Sequence, residues 1–233
     1  MEKFKKLSLI GNIIFAVLIL VADILFMYTD INIYIIKTLA SALFVLCGAF
    51  NLTLAFVGNG ENRLKSIVML IGIIFAFIGD VVLIRHFILG AIFFAIGHVF
   101  YLIYFIMLCK PKWVDLIVFV VIFGISASLI LFLPAFEFGD LKFLILIYAL
   151  IICLMLAKAI GNYIVERNFA NLIIMLGALL FYTSDLMLVF ANFSSIAPRL
   201  FDQLCLWTYY PAQFLLAFSI YLKNLLSLSG KEN

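Results

Sequence analysis

The chain has 233 residues, of which 68% are hydrophobic and only 12% charged, about half the charged share of an ordinary soluble domain, and its formal net charge is +3. No soluble fold hides that much apolar surface. So small a positive excess belongs to loops and excludes a polyanion or nucleic-acid partner.

A helix needs roughly 20 apolar residues to cross the hydrocarbon and satisfies its backbone internally, so long unbroken apolar runs select helices over a barrel. Hydropathy and breakers place spans, in chain order, at about 7–28, 31–57, 64–84, 87–108, 113–133, 141–161, 169–190 and 204–226. The expectation is an all-α bundle of eight transmembrane helices, a single transmembrane domain over residues 1–233 of a bacterial cell-membrane protein. The first span follows Lys3, Lys5 and Lys6 as a secretory signal would, but it is too long and lacks a small-residue cleavage pattern, so it reads as an uncleaved helix.

Orientation follows from the basic residues, because cytoplasmic loops carry the excess of Lys and Arg. One face collects Lys3, Lys5, Lys6, Arg63, Lys65, Lys110, Lys112, Lys158, Arg167, Lys223 and Lys231; the other has Arg85, Lys142 and Arg199. That asymmetry predicts cytoplasmic termini. The cysteines, Cys47, Cys109, Cys153 and Cys205, have no metal or redox spacing and read as packing residues.

Ionisable groups inside a span are costly, so each needs a partner, a watery cavity or a function. Here they are Asp23, Lys37, Asp80, His98 and Asp185, with Lys158 near a helix end where it can snorkel. At ~1.5 Å per residue, Asp23, Lys37, Asp80 and Asp185 fall roughly 6–8 Å below the non-cytoplasmic surface, with Tyr209 and Gln213 at similar and slightly deeper levels and His98 near the midplane. Acids and a base in one layer predict a shared polar pocket. A purely structural network, with Lys37 neutralising one aspartate, is the alternative.

The segment Gly79-Asp80-Val81-Val82-Leu83 is echoed four helices later by Ser184-Asp185-Leu186-Met187-Leu188, a short match that would relate the aspartates by a pseudo-twofold axis along the membrane normal. His98 could join both as a metal ligand, but zinc sites want more nitrogen or sulfur donors. Orienting Asp80 or a substrate phosphate is the favoured role. No metal or other cofactor is expected.

At these residues the chain resembles the YhhN-like integral membrane proteins, which include the animal lysoplasmalogenases. The resemblance rests on the run Phe75 to Leu83 around Gly79-Asp80, then Phe87, Gly90, Phe94, His98 and Tyr101; on Gly177-Ala178-Leu179-Leu180-Phe181 leading to Ser184-Asp185; and on Tyr209-Tyr210-Pro211-Ala212-Gln213. Lys37 sits where that family tends to have Lys-Pro, with Thr38 in place of the proline. The resemblance implies eight helices, catalytic Asp80 and Asp185, and hydrolysis of the vinyl ether bond of lysoplasmalogens to a fatty aldehyde and a glycerophospho-alcohol.

That chemistry needs an acid and then a base, and two carboxyls can share it if one is protonated while the other is ionised. Lys37 would tune the pair or hold the phosphate, His98 would support Asp80, and Tyr209 and Gln213 would bind water or the glycerol backbone. Tyr101, Ser184, Tyr210 and Asp23 complete the candidate substrate-binding and supporting set. The expected partners are a lysophospholipid substrate and membrane lipids. Rival readings are a proton-coupled transporter, a metal-dependent lipid amidase or esterase, and a lipid-binding or receptor-like membrane protein.

Overall fold

The computed structural model describes residues 2–28, 33–57 and 62–229. These residues form eight α-helices joined by short connections: α1 (Glu2–Tyr28), α2 (Ile33–Val57), α3 (Arg63–Leu83), α4 (Phe87–Leu108), α5 (Trp113–Phe132), α6 (Lys142–Val165), α7 (Phe169–Phe193) and α8 (Pro198–Ser229), with a 3-10 turn at Gly139–Leu141 before α6. The helices fall where hydropathy places them; residues 31 and 32 of the second expected span lie outside the described residues. Two bounds move. α7 runs to Phe193, nearly a turn past the expected end at 190, and α8 begins at Pro198 rather than 204, a proline being well suited to the first turn of a helix.

Seven helices, α1 to α7, are long and apolar enough to cross a membrane, and the chain is an integral multi-pass membrane protein. α8 falls short of that apolarity for a visible reason. It packs on α1, α2, α3 and α7 and turns Tyr209, Tyr210, Gln213, Ser219 and Asn224 into the bundle, where all five are buried. The distribution is inside-out relative to a soluble protein: Leu7, Ile10 and Ile14 on α1 and Ile117, Val120 and Val121 on α5 are exposed, while Asn12, Asn51, Asn162 and Asn171 are buried. Buried amides in a membrane bundle act as interhelical glue.

Small residues set the closest approaches. A Cβ at Gly72 of α3 would stand 2.7 Å from the Tyr101 ring of α4, and one at Gly90 of α4 would stand 2.6 Å from the Leu83 backbone of α3. α3 and α4 therefore pack backbone to backbone, as small-residue stripes allow in membranes. Local caps fix two helix starts, Asp115 Oδ2 accepting from Lys112 N at 2.8 Å on α5 and Asn168 Oδ1 accepting from Asn171 N at 2.9 Å on α7.

One expectation is overturned here. Lys158 does not snorkel: it is 3% exposed, its Nζ lies 2.8 Å from Asp115 Oδ2 and it also donates to the Lys110 carbonyl at 3.2 Å. Packing of α5 on α6 brings the acid within reach, so the ammonium is satisfied inside the protein instead of in water.

Candidate active site: two buried aspartate centres

Both candidate aspartates lie toward the same end of the bundle, Asp80 in the last turn of α3 and Asp185 about two turns before the end of α7, but each has its own set of partners. Around Asp80, the α2 residues Lys37 and Ser41 are one turn apart and so share a helix face. Lys37 Nζ lies 2.9 Å from Asp80 Oδ1, Ser41 Oγ donates to Oδ2, and the Tyr210 hydroxyl of α8 donates to Oδ2 at 3.2 Å. An ammonium and two hydroxyls thus satisfy both carboxylate oxygens. Asp23 of α1, 0% exposed, lies within electrostatic reach of Asp80, and neither of its oxygens has a hydrogen-bond partner among the described residues. A buried charge is costly unless paired, and Lys37 already serves Asp80.

Around Asp185 the chemistry differs. His98 Nε2 of α4 lies 3.0 Å from Asp185 Oδ2, the Tyr148 hydroxyl of α6 donates to the same oxygen at 2.6 Å, and His98 Nε2 is 3.0 Å from that hydroxyl. The three atoms form a closed triangle in which each pair is at hydrogen-bond distance, so a proton can pass among all three. His98 is fully buried, and its Nδ1 has no partner among the described residues.

Two apolar clefts converge on this second centre. One, of about 80 Å³, runs between α4, α6 and α7 past Phe94, Ile145 and Leu188; the other, of about 40 Å³, runs between α5, α6 and α7 past Ile130, Ile152 and Leu186. Both are lined by Tyr148 and Asp185, and neither by Asp80. Apolar walls with a few convergent polar groups are the usual make-up of a small-molecule site.

The remaining candidates tie the two centres together. Tyr209 lies within electrostatic reach of both aspartates, donates to the Ala76 carbonyl at 3.3 Å and makes edge-on contacts with Phe94 and Phe181 at centroid distances of 5.8 and 5.5 Å. Tyr101 donates to Gln213 Oε1 at 2.9 Å, and Ser184 Oγ lies 3.4 Å from Cys205 Sγ, a thiol within electrostatic reach of Asp185 and Lys37.

The structure brings the candidates into contact, but with partners that sequence depth joins differently. His98 supports Asp185, not Asp80, because depth fixes height along a helix and leaves its facing open. The single shared pocket resolves into two centres with separate hydrogen-bond partners, both within electrostatic reach of Tyr209. Two contacting residues, Ser41 and Tyr148, are not anticipated. Ser41 is one turn from Lys37, and Tyr148 is a polar interruption in the apolar first half of α6; either signal points to them only once a neighbouring acid is suspected. Among the described residues no three His, Cys, Asp or Glu side chains converge as a metal centre requires.

A family model described as the YhhN family matches residues 32–220. No curated protein and no solved structure matches the chain.

Proposed function

The chain belongs to the YhhN family, and from that premise we propose that it is a lysoplasmalogenase-like hydrolase, cleaving the vinyl ether bond of lysoplasmalogens to a fatty aldehyde and a glycerophospho-alcohol. The observation that carries this reading is a buried carboxyl, Asp185, set with a hydroxyl and an imidazole where two apolar clefts meet. An alkenyl chain fits such walls, and its one reactive bond asks for a proton donor at their meeting point.

The reaction begins with transfer of a carboxyl proton to the alkene carbon remote from oxygen. The π electrons form the new C–H bond and the adjacent carbon becomes an oxocarbenium ion, stabilised by nearby carboxylate charge. Water adds to that carbon and returns a proton to the carboxylate. The resulting hemiacetal then breaks its C–O bond to the glycerol oxygen, which takes up the hydroxyl proton, releasing aldehyde and alcohol. One water is consumed and the acid is regenerated.

In the proposed topology α8 is an eighth crossing and both termini are cytoplasmic, on the strength of the Lys and Arg distribution. The aspartate centres then lie toward the outer leaflet, and a lysolipid enters sideways from the bilayer. The Tyr148–His98–Asp185 triangle also suits a proton-coupled transporter, since intramembrane acids and histidines build proton relays. Incubating purified protein with lysolipids bearing vinyl ether, ester and amide links, with aldehyde and acid release measured, separates these readings. Aldehyde from the vinyl ether alone supports the proposal; acid release points to an esterase or amidase, and no turnover to a carrier.

A further inference from the structure

We propose that the chain is a tandem of two homologous four-helix units whose equivalent aspartates have diverged in role, Asp185 with Tyr148 and His98 forming the proton-exchanging centre and Asp80 held by Lys37 as a fixed counter-charge. The assignment of roles rests on the hydrolase reading above; the tandem itself does not.

The evidence for two units is a set of contacts that repeat in constant register. Exchanging α1–α4 with α5–α8 maps α2 onto α6, α3 onto α7 and α4 onto α8. Asp80 of α3 is held from α2 by Lys37 and from α8 by Tyr210; Asp185 of α7 is held from α6 by Tyr148 and from α4 by His98. Those are the contacts the exchange requires. The same register then reproduces two further contacts far from the aspartates. The interval from Lys37 to Asn51 equals that from Tyr148 to Asn162, and the interval from Tyr210 to Ala217 equals that from His98 to Phe105. Asn51 Nδ2 donates to the Ala217 carbonyl at 3.0 Å, and Asn162 Nδ2 donates to the Phe105 carbonyl at 2.8 Å. Cys47 and Lys158 also occupy matching positions, and Cys47 bonds Asn12 of α1 at 3.5 Å as Lys158 bonds Asp115 of α5 at 2.8 Å.

The glycines agree. Gly72 precedes Asp80 by the same interval as Gly177 precedes Asp185, and each packs against the helix that follows, Gly72 on Tyr101 and Gly177 on Leu216. Tyr101 and Gln213 are equivalent positions on α4 and α8, and they hydrogen-bond to each other at 2.9 Å. Equivalent residues can touch in this way only beside the axis that relates the halves. Because each unit has four helices, both units run the same way through the bilayer, and that axis lies along the membrane normal.

The symmetry matters for function because it shows what has changed. At the position of the Lys37 ammonium the second unit has the Tyr148 hydroxyl; at that of the Tyr210 hydroxyl it has the His98 imidazole; at that of Ser41 it has Ile152. One aspartate has kept or gained a counter-ion, and the other has a hydroxyl and an imidazole, groups that can take and return a proton. The two described clefts open on the second alone. In the reaction, Asp185 gives its proton to the alkene carbon and recovers one from the attacking water, with Tyr148 and His98 as positioning residues, while Asp80 keeps its charge throughout.

Infrared titration of the purified full-length protein tests this without relying on turnover. A protonated carboxyl gives a C=O stretch that disappears on ionisation. All titrations are run in an Asp23→Asn background, which removes a further buried carboxyl, one with no hydrogen-bond partner among the described residues, and there the otherwise unaltered protein should show one such band that responds to pH. The band should persist in the double variant Lys37→Met/Asp80→Asn, chosen so that no unpaired lysine is left in the core, and should vanish in Asp185→Asn. Persistence in Asp185→Asn, loss in the double variant, or no responsive band in the otherwise unaltered background overturns the assignment. If the wild type releases aldehyde from no lysolipid, the hydrolase reading fails while the band still decides which carboxyl exchanges protons. With a substrate in hand, Tyr148→Phe should lower kcat roughly 10-fold with KM little changed and should alter the pH–rate profile, which a structural tyrosine would leave in place.

Discussion

Tyr209 stands within electrostatic reach of Asp80 and Asp185 alike, although the two carboxyls take their partners from different helices. Tyr209→Phe keeps the ring and removes one bond, to the Ala76 carbonyl, so it should cost about 1 kcal/mol of stability and leave turnover within a few-fold. Tyr209→Ala also removes the ring and its contacts with Phe94 and Phe181, and should depress turnover far more. Thermal unfolding in detergent paired with a turnover assay checks both, and equal effects of the two variants on turnover would place the role in the hydroxyl.

In the Lys37–Asp80 pair the carboxyl is buried and the lysine side chain is 12% exposed. Lys37→Met or Asp80→Asn alone leaves a charge without its partner, which typically costs about 3–5 kcal/mol. Together they should cost markedly less than the sum of the two. A double-mutant cycle on thermal stability measures this coupling, and strict additivity would show that the pair is not energetically joined. Turnover should be lost in both variants that lack Asp80, however well the double variant folds.

Lys158, buried, and Asp115, half-buried, form a second pair, at the opposite end of the bundle from the aspartate centres. Breaking it with Lys158→Met should destabilise the fold on the same scale, about 3–5 kcal/mol, while per-molecule turnover of the folded fraction stays near wild type. Loss of activity without loss of stability would give this pair a part in the reaction.

Topology is tested by cysteine labelling. Single cysteines placed beside Arg85 or Arg199 should react with an impermeant reagent from outside the cell, and those beside Arg63 or Lys110 should not. The reverse pattern would move the aspartate centres to the cytoplasmic leaflet.

Much of this molecule is legible in the chain because the membrane makes errors expensive. Eight helices follow from apolar runs, and Asp80 and Asp185 stand out because an acid in such a run needs a reason. Partnership is harder to read. His98 belongs to Asp185 because α4 packs on α6 and brings the imidazole beside Tyr148, a fact of helix facing that no depth count contains. Lys158 looks like an interfacial residue until α5 supplies Asp115. The tandem register is nearly invisible in the letters, since Lys37 matches Tyr148 and Cys47 matches Lys158; what has been kept is the geometry of contact, not the residue type.

The most direct test of the account is aldehyde release from a lysoplasmalogen by purified wild type and by Asp185→Asn, with folding of both verified by thermal unfolding. The account predicts aldehyde from the wild type and a loss of about 10²–10⁴ in rate for the variant, the usual effect of removing a proton donor. No aldehyde from the folded wild type, or undiminished release from folded Asp185→Asn, would contradict it.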